Sequence, residues 1–394
     1  LLHEKPFEGI NGSGKHNNWS ISTNTGENLL DPGKTPAKNI QFLVFLMAVI
    51  KAVDEYADLM RISAASAGND HRLGGNEAPP AIVSIFLGDE LTAILKSIED
   101  DTYFGKHQRV QLETGAHVLP HFVKDNTDRN RTSPFAFTGN KFEFRMLGSS
   151  ASVATPNIIL NTAVAEALAQ FSRELSGTAP KDMEQAVHEL IKRAIKKHKK
   201  VIFNGNGYTE EWVAEAEKRG LYNLASTPDC LPQILAEKNV DLFTRHHIFT
   251  REELASRYEI FLENYVKTVA IEAKTLREML AKDFLPAVSR YASSVSGEAL
   301  SMKTFVPDLS TDSARKLVSF LGASYETIAG ALDLLDQEIL ALDEKTSLLE
   351  AAGYCRKTIL ATMEELRSAA DQAEAKIPEE ELPYPTYDAL LFSV

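Results

Sequence analysis

The segment Asn11-Gly12-Ser13-Gly14-Lys15-His16-Asn17-Asn18-Trp19-Ser20 constrains the chemistry and fold of this 394-residue chain more than any other. It places two glycines, one histidine and two serines within ten residues and has no apolar period. Glycine lets the backbone pass close to a charged ligand, and an imidazole can coordinate a metal ion or donate to a phosphate. A turn between two elements is the structural alternative. The segment follows Lys5-Pro6-Phe7-Glu8-Gly9-Ile10, and the whole string predicts a ligand-binding loop.

Four further segments carry polar residues in definite patterns. They are Asp70-His71-Arg72-Leu73-Gly74-Gly75-Asn76-Glu77-Ala78-Pro79, Asp128-Arg129-Asn130-Arg131-Thr132-Ser133, Lys141-Phe142-Glu143-Phe144-Arg145 and Tyr384-Pro385-Thr386-Tyr387-Asp388-Ala389-Leu390-Leu391-Phe392-Ser393-Val394. Together with the first segment, they resemble the motifs of glutamine synthetases in the order in which that family has them. The form Lys-His-Asn-Asn-Trp-Ser in the first segment resembles the large type III class.

This resemblance implies an enzyme that uses ATP to join ammonia to the side-chain carboxylate of glutamate, through a γ-glutamyl phosphate, giving glutamine. Both steps accumulate negative charge, so the site needs divalent metals, arginines and a group that takes a proton from ammonium. The implied cofactors are ATP and Mg or Mn, and the implied partners are glutamate, ammonia and ATP. Members of the family assemble as double rings, so the resemblance also implies a homo-oligomer.

Metal and nucleotide positions follow from the resemblance residue by residue. His16 and Glu143 match ligands of the metal that bridges the ATP phosphates, and their nitrogen and oxygen donors suit Mg or Mn. Ser20 and Lys141, with His16, match positions that contact the nucleotide. The resemblance therefore predicts a cofactor site built from the first segment and from the segment around Glu143.

The glutamate and phosphoryl positions follow in the same way. Gly12 lies on the loop that receives the glutamate amino group, and Arg72 and Arg145 match partners of its carboxylate and of phosphate. Arg131 matches the residue that offsets charge on the transferring phosphoryl group. Glu77 matches the glutamate that closes over the intermediate and deprotonates ammonium. Arg131 and Glu77 are therefore the predicted catalytic residues.

The sequence departs from the family pattern at several points. The family commonly has a second histidine at Asn18, a second arginine near Ala136 and an arginine at Lys141. The segment 70–79 is one residue shorter than the family loop and lacks its internal proline. The nucleotide positions consequently match less completely than the metal positions.

Composition excludes several other classes of protein. A net charge of −13 and a pI near 5.3 disfavour non-specific nucleic-acid binding, which needs clustered Lys and Arg. The longest apolar run, Phe42–Ile50, has nine residues, whereas a membrane-spanning helix needs about 20. Cys230 and Cys355 are the only two cysteines, without a CxxC pattern or a secretory signal, so we expect core thiols and a cytoplasmic protein.

The resemblance implies an α+β fold: a glutamine synthetase-like catalytic domain with an antiparallel sheet and helices, followed by a large helical addition. Residues 19–23 and 141–146 alternate like strands, and the second pattern places Lys141, Glu143 and Arg145 on one face. Helices are predicted at about 37–65 and 157–175. The strand face with Lys141, Glu143 and Arg145 is either an exposed edge or the floor of a polar cleft, and the order cation, anion, cation favours the cleft.

The second half of the chain has the apolar spacings of long helices. Residues 328–342 and 348–366 repeat apolar side chains every three or four positions, and a third helix begins with the capping box Thr250-x-x-Glu253. We predict the C-terminal part of the catalytic domain at 1–176, a helical extension at 177–240, a helical bundle at 241–375 and a tail at 376–394 that returns to the catalytic domain.

Three features of this half could bind ligands but have simpler structural explanations. The basic run at 192–200 suits a helix C-terminus, and Asn204-Gly205-Asn206-Gly207 suits a turn before a helix. The adjacent His246 and His247 rarely face one metal, and we predict a structural role for them. We also expect no bundle residue to reach the substrate.

Two alternative functions stay open from the sequence. One is a related ligase that joins glutamate to a polyamine or another amine, and a wider ammonium pocket around Glu77 would distinguish it. The other is a catalytically silent homologue with a structural or regulatory role, although retention of His16, Glu77, Glu143 and Arg145 argues against it. Because most metal glutamates of the family precede its Asn-Gly-Ser-Gly loop, we also expect the 394 residues to be the C-terminal portion of a longer polypeptide.

Overall fold

The structure is a computed structural model that describes residues 14–74, 78–102, 130–386 and 389. The chain divides into two compact units, Leu1–Tyr258 and Glu259–Val394. The first unit contains all the described strands and the second is helical. The predicted α+β class is therefore confirmed at the coarse level of a mostly helical protein with one small sheet. The division at residues 176, 240 and 375 stays a prediction.

Four strands form the sheet of the first unit, and their order is β1-β4-β3-β2. They are β1 (Gly14–Trp19), β2 (Ile85–Phe86), β3 (Phe135–Phe137) and β4 (Phe142–Gly148). β4 pairs antiparallel with both β1 and β3, but β2 and β3 are parallel. The predicted antiparallel sheet is thus wrong for one pair. A helix follows β2 directly, and parallel strands require such a crossover connection.

The first strand does not lie where the alternation predicted it. Residues 19–23 were expected to form it, but β1 ends at Trp19, and Ser22 makes only an isolated bridge with Asn28. Residues 21–29 instead form a tight hairpin, in which the Leu29 amide donates to the Ile21 carbonyl at 2.8 Å. β1 is a strand because its backbone pairs with β4, a long-range contact that local alternation cannot report.

The alternation predicted for residues 141–146 is confirmed in β4. Phe142 and Phe144 lie on one face, where their rings contact Phe135 at centroid distances of 4.7 and 6.1 Å. Phe137 continues this aromatic layer towards Phe42, 5.9 Å away. The opposite face carries Glu143 and Arg145, so the sheet separates an aromatic core from a charged surface.

Helices cover the aromatic face and extend the first unit. They are α1 (Ile40–Glu55), α2 (Ala57–Ile62), α3 (Ala67–Arg72), α4 (Gly88–Glu99), α5 (Ala154–Leu175), α6 (Met183–His198), α7 (Glu210–Lys218), α8 (Thr227–Cys230) and α9 (Glu237–Arg245). α1 packs against α5 and α6 and is largely buried. The helix predicted at 157–175 is confirmed as α5, with Pro156 in its first turn. The helix predicted at 37–65 is broken at Tyr56, where α1 ends and α2 begins.

The structure agrees with the structural explanations for the basic run, for the turn at 204–207 and for His246. In the basic run, Lys199 lies 2.7 Å from Glu99, and buried His198 lies 2.8 Å from Asp54. The segment 204–207 forms the turn before α7. His246 lies 2.8 Å from the buried carboxylate of Glu166 on α5. These contacts satisfy the charges within the protein.

The second unit is a set of long helices, as the apolar spacings predicted. They are α10, which starts in the first unit (Arg251–Met279), α11 (Leu285–Phe305), α12 (Asp312–Leu342), α13 (Leu348–Tyr354) and α14 (Leu360–Glu374). The capping box of α10 is present, because the Glu253 amide donates to Thr250 Oγ1 at 3.2 Å and the Thr250 amide to Glu253 at 2.8 Å. Two π-helical turns, Leu280–Phe284 and Cys355–Ile359, join successive helices. No described helix is long and apolar enough to cross a bilayer.

Candidate active site

The charged face of the sheet carries a chain of three paired side chains. His16 on β1 places its Nδ1 atom 2.8 Å from Oε1 of Glu143 on β4. The other carboxylate oxygen, Oε2, accepts from Nη2 and Nε of Arg145 at 2.7 and 3.1 Å. Glu143 and Arg145 are 6% and 3% exposed, whereas the His16 side chain is 56% exposed. A buried ion pair therefore supports an imidazole that faces solvent.

A local irregularity in the pairing of β1 with β4 aims these side chains. Lys15 pairs with Leu147 and Asn17 with Phe144, so the single residue His16 lies opposite both Arg145 and Met146. Such a bulge bends a strand and redirects its side chains, and bulges often occur beside functional sites. The alternation of β4 predicted the charged face, but the bulge depends on the partner strand and left no signal in the sequence.

The environment of Glu143 keeps its carboxylate charged. Burial raises the pKa of Glu143, but the hydrogen bonds and charge of Arg145 and the neighbouring His16 lower it further, so the pKa lies below its ordinary 4.5. At neutral pH the side chain is therefore an ionised carboxylate. On the strand face that was predicted to form the floor of a cleft, the opposite charges of Glu143 and Arg145 are in direct contact.

Arg145 also connects the sheet to the loop that carries Arg131. Its Nη1 donates to the backbone carbonyl of Asn130, so all three guanidinium nitrogens contact the protein. Arg131 follows directly and is exposed. The predicted catalytic Arg131 thus follows the residue whose carbonyl accepts from Arg145, the partner of Glu143. A direct role of Arg145 towards substrate stays a prediction.

Arg72 lies beneath the end of β4 and is 4% exposed. Its Nη2 donates to the Arg145 carbonyl at 3.0 Å, and its Nη1 to the carbonyls of Met146 and Leu147 at 3.2 and 3.3 Å. These bonds fasten α3 to the strand at the bulge. The guanidinium also lies against Gly14, where the absence of a side chain leaves room for it. The predicted contact of Arg72 with glutamate is not tested by this geometry.

The predicted nucleotide positions lie at the start of β4. Ser20 donates to Asn28 Oδ1 at 2.7 Å and to the Asn140 carbonyl at 3.0 Å, and Asn28 donates to the same carbonyl at 2.8 Å. Lys141 follows Asn140 and is partly exposed. Ser20 therefore holds the turn that precedes Lys141, and both assignments to ATP stay predictions. Gly12 and Glu77 lie outside the described residues.

The donors present suit a divalent metal only in part. Among the described residues, no group of three or more His, Cys, Asp or Glu side chains could hold a metal ion. His16 Nδ1 and Glu143 Oε1 are 2.8 Å apart. Adjacent ligands of an octahedral Mg ion, each about 2.1 Å from it, lie about 3.0 Å apart. The two atoms are therefore close enough to be neighbouring ligands of such an ion, which would replace the hydrogen bond that now joins them.

Sequence reasoning missed two asparagines that organise this region. Buried Asn69 donates to the carbonyls of Ala64 and Met146 at 2.6 and 2.8 Å, and so joins α3 to β4 beside Arg72. Asn130 holds the acceptor of Arg145. Asn130 stood inside a quoted segment, but its neighbour Arg131 attracted the functional assignment. Asn69 has no recognisable signal, because the two groups to which it donates are backbone carbonyls, although its Oδ1 also accepts from Arg72 at 3.3 Å.

Comparison with known proteins agrees with the motifs. Residues 186–303 match the model of the glutamine synthetase C-terminal domain. Over its whole length the chain is 51% identical to a glutamine synthetase of Butyrivibrio fibrisolvens and 42% identical to the type-3 glutamine synthetase of Dictyostelium discoideum. The chain is related to the glutamine synthetases. A glutamine synthetase of Bacteroides fragilis is 37% identical over the full chain.

The resemblance deduced from the motifs is therefore confirmed, including the similarity to a type-3 enzyme. The chain spans about half the length of the curated glutamine synthetases that it matches, 56% and 54% for the first two. Residues 186–303, which match the C-terminal domain, include most of α6, the helices α7 to α10 and most of α11. They therefore lie outside the sheet that carries His16 and Glu143.

Proposed function

We propose that this chain takes part in the ATP-dependent ligation of ammonia to the side-chain carboxylate of glutamate, through a γ-glutamyl phosphate, giving glutamine. Its similarity to glutamine synthetases over the full chain supports the reaction class. The observation that carries the proposal is the 2.8 Å contact between His16 and a Glu143 carboxylate that Arg145 holds from the other side. This arrangement offers one nitrogen and one charged oxygen at a solvent-facing position.

In this proposal, His16 and Glu143 would hold Mg or Mn at the ATP phosphates. When bound, the ion would neutralise phosphate charge and polarise the γ-phosphoryl group. Glu143 contributes a negative charge that Arg145 keeps ionised at neutral pH. Arg145 also restricts the carboxylate to one orientation, because both of its bonds to Glu143 end on Oε2 and leave Oε1 directed to His16.

Arg131 provides an exposed positive charge of the proposed site. Its side chain is exposed, while the neighbouring carbonyl of Asn130 is fixed by Arg145. A guanidinium placed in this way can approach the transferring phosphoryl group and stabilise the charge that develops there. The same proposal assigns ATP contacts to Ser20 and Lys141.

The remaining roles concern glutamate and ammonium. We assign Gly12, Arg72 and Arg145 to the glutamate and phosphate groups, and Glu77 to deprotonation of ammonium. The contacts of Arg72 with three backbone carbonyls make it a residue that shapes the pocket as well. A cytoplasmic location and a double-ring homo-oligomer belong to the proposal too, and the two buried, free cysteines agree with a reducing compartment.

The amine acceptor decides between this function and its alternatives. The active protein that carries this chain is incubated with ATP, glutamate and Mg or Mn, and phosphate release is measured with ammonia, a monoalkylamine or a diamine. Glutamine formation that depends on ammonia supports the proposal. Faster turnover with a larger amine would assign a glutamate–amine ligase, and nucleotide binding without turnover with any amine would indicate a catalytically silent homologue.

A further inference from the structure

The turn at residues 204–207 makes more contacts than a connection between two helices requires. Oδ1 of Asn204 accepts from the backbone amides of Leu87 and Gly88 at 3.1 and 3.2 Å. Its Nδ2 donates to Thr92 Oγ1 at 2.8 Å. The first residues of α4 have no cap from their own N-cap side chain, so Asn204 satisfies these amides from a distant part of the sequence. The turn is therefore anchored to α4.

The other side of the turn is hydrogen-bonded to the loop that carries Arg131. Nδ2 of Asn130 donates to the carbonyls of Asn204 and Gly205 at 3.2 and 2.6 Å. The amide of Gly207 donates to Thr132 Oγ1 at 2.8 Å. Oδ1 of Asn130 in turn accepts from the amide and the hydroxyl of Thr132 at 3.0 and 2.6 Å. One asparagine side chain thus ties both flanks of Arg131 to the turn.

The backbone carbonyl of Asn130 connects this anchored loop to the charged face of the sheet. Its carbonyl accepts from Nη1 of Arg145, whose other nitrogens hold Oε2 of Glu143. A continuous set of hydrogen bonds consequently runs from α4 through Asn204 and Asn130 to Arg145 and Glu143. Groups that orient a metal ligand in this way typically change metal affinity or activity by 10–100-fold when they are removed.

We propose that the backbone of Asn204, Gly205 and Gly207 positions the site through Asn130, fixing the carbonyl that orients Arg145 and the loop that carries Arg131. The side chain of Asn206 takes no part in this positioning. Asn130 is a positioning residue and touches neither substrate nor metal. The expected effect of Asn130 on catalysis rests on the proposed function, whereas its expected effect on the orientation of Glu143 does not. The turn lies in the segment 186–303 that matches the C-terminal domain, so this domain would contribute to the site through the turn.

The main test compares two asparagine variants of neighbouring segments. Asn130→Ala removes the side chain that joins the turn to the loop. Asn206→Ala is the matched control, because Asn206 belongs to the same turn but its Oδ1 accepts only locally, from the Tyr208 amide at 3.0 Å. Both variants and the parent protein are titrated with Mn alone, and kcat and KM for ATP and glutamate are measured separately. Thermal unfolding reports whether each variant is folded.

Asn130→Ala should weaken Mn binding and lower kcat by about 10-fold or more, with a smaller change in the KM for glutamate, while Asn206→Ala stays within about twofold of the parent. Gly207→Ala gives a second test from the side of the turn. A Cβ on Gly207 would lie 2.8 Å from the Thr132 carbonyl oxygen, so the loop must shift, and we expect the same direction of change.

Equal Mn affinity in Asn130→Ala and Asn206→Ala would overturn the positioning role, whether or not the parent protein makes glutamine. If the parent forms no glutamine but Asn130→Ala still weakens Mn binding, the proposed reaction is wrong and the positioning role is supported. If Asn130→Ala does not fold, the Mn affinity of Gly207→Ala decides the question in the same way.

Discussion

Arg72 covers Gly14 so closely that a Cβ at position 14 would lie 2.6 Å from the guanidinium carbon and 2.9 Å from the Leu147 carbonyl oxygen. Gly14 begins β1, and Arg72 ends α3. The contact therefore joins the Gly-rich segment to the segment around residue 72, which the motifs placed in one site. Only glycine permits this approach, because any Cβ at position 14 would meet these atoms.

Gly14→Ala should displace Arg72 from the carbonyls at the end of β4. Overpacking of this kind costs about 1–3 kcal/mol. We expect a lower midpoint of thermal unfolding and a clear loss of turnover. Gly297→Ala on α11 is the control, because a Cβ there meets nothing within 4 Å and alanine is the better helix former. Unchanged stability and turnover in Gly14→Ala would show that the Arg72 contact has no importance.

Glu166 should give the first unit a pH-dependent stability. Burial raises its pKa, but hydrogen bonds from Gln170 and His246 and the charge of Arg245 outweigh it, so the pKa lies below its ordinary 4.5. The ionised side chain therefore stabilises the fold above pH 4.5, and this contribution is lost as the pH falls through the lower folded-state pKa.

Glu166→Gln should consequently reduce the free energy of unfolding by about 1–3 kcal/mol at pH 7, and the difference from the parent should shrink below about pH 4.5. Urea unfolding at several pH values measures it. Glu215→Gln is the control, because Glu215 forms a surface pair with Arg219 at 2.9 Å, and such pairs contribute at most about 1 kcal/mol. A difference that stays constant from pH 7 to pH 3 would contradict the assignment.

Both cysteines should be chemically inert in the folded protein. Burial raises the pKa of the Cys230 thiol to about 12 and that of Cys355 to about 11, and both side chains are fully buried. Only the thiolate reacts with alkylating agents. Iodoacetamide at pH 8 should therefore label neither residue until denaturant is added. Rapid labelling of Cys230 or Cys355 without denaturant would show that the core around it opens readily.

The sequence predicted those parts of the fold that depend on local periodicity. Alternation at 141–146 identified β4 and its charged face, and apolar spacing at 328–342 identified α12, in which Ile328, Leu332 and Leu335 are buried. These patterns work because each side chain reports its own burial. The broken helix at Tyr56 was missed, since nothing in the apolar pattern marks where one helix stops and the next starts in the same buried layer.

The sequence predicted which residues belong to the site better than it predicted the contacts that they make. The motifs named His16, Glu143 and Arg145, and the structure brings these three together. The motifs did not indicate that Arg145 and Arg72 form hydrogen bonds with other groups of the protein. Those bonds go to backbone carbonyls and to a neighbouring carboxylate, and the position of such acceptors is set by strand pairing and by the bulge at His16.

The central claim is that Glu143, oriented by Arg145 and facing His16, is part of the site that transfers the γ-phosphoryl group of ATP. Glutamate- and ammonia-dependent phosphate release by Glu143→Gln in the active protein tests it most directly. Glu338→Gln is the matched control, since Glu338 is also buried, at 7% exposed against 6% for Glu143, and accepts from Thr362 at 2.9 Å in the helical unit. We predict a loss of at least about 100-fold for Glu143→Gln, beyond the usual effect of groups that only orient a ligand, and little change for Glu338→Gln. Turnover of a folded Glu143→Gln protein within a fewfold of the parent would contradict the account.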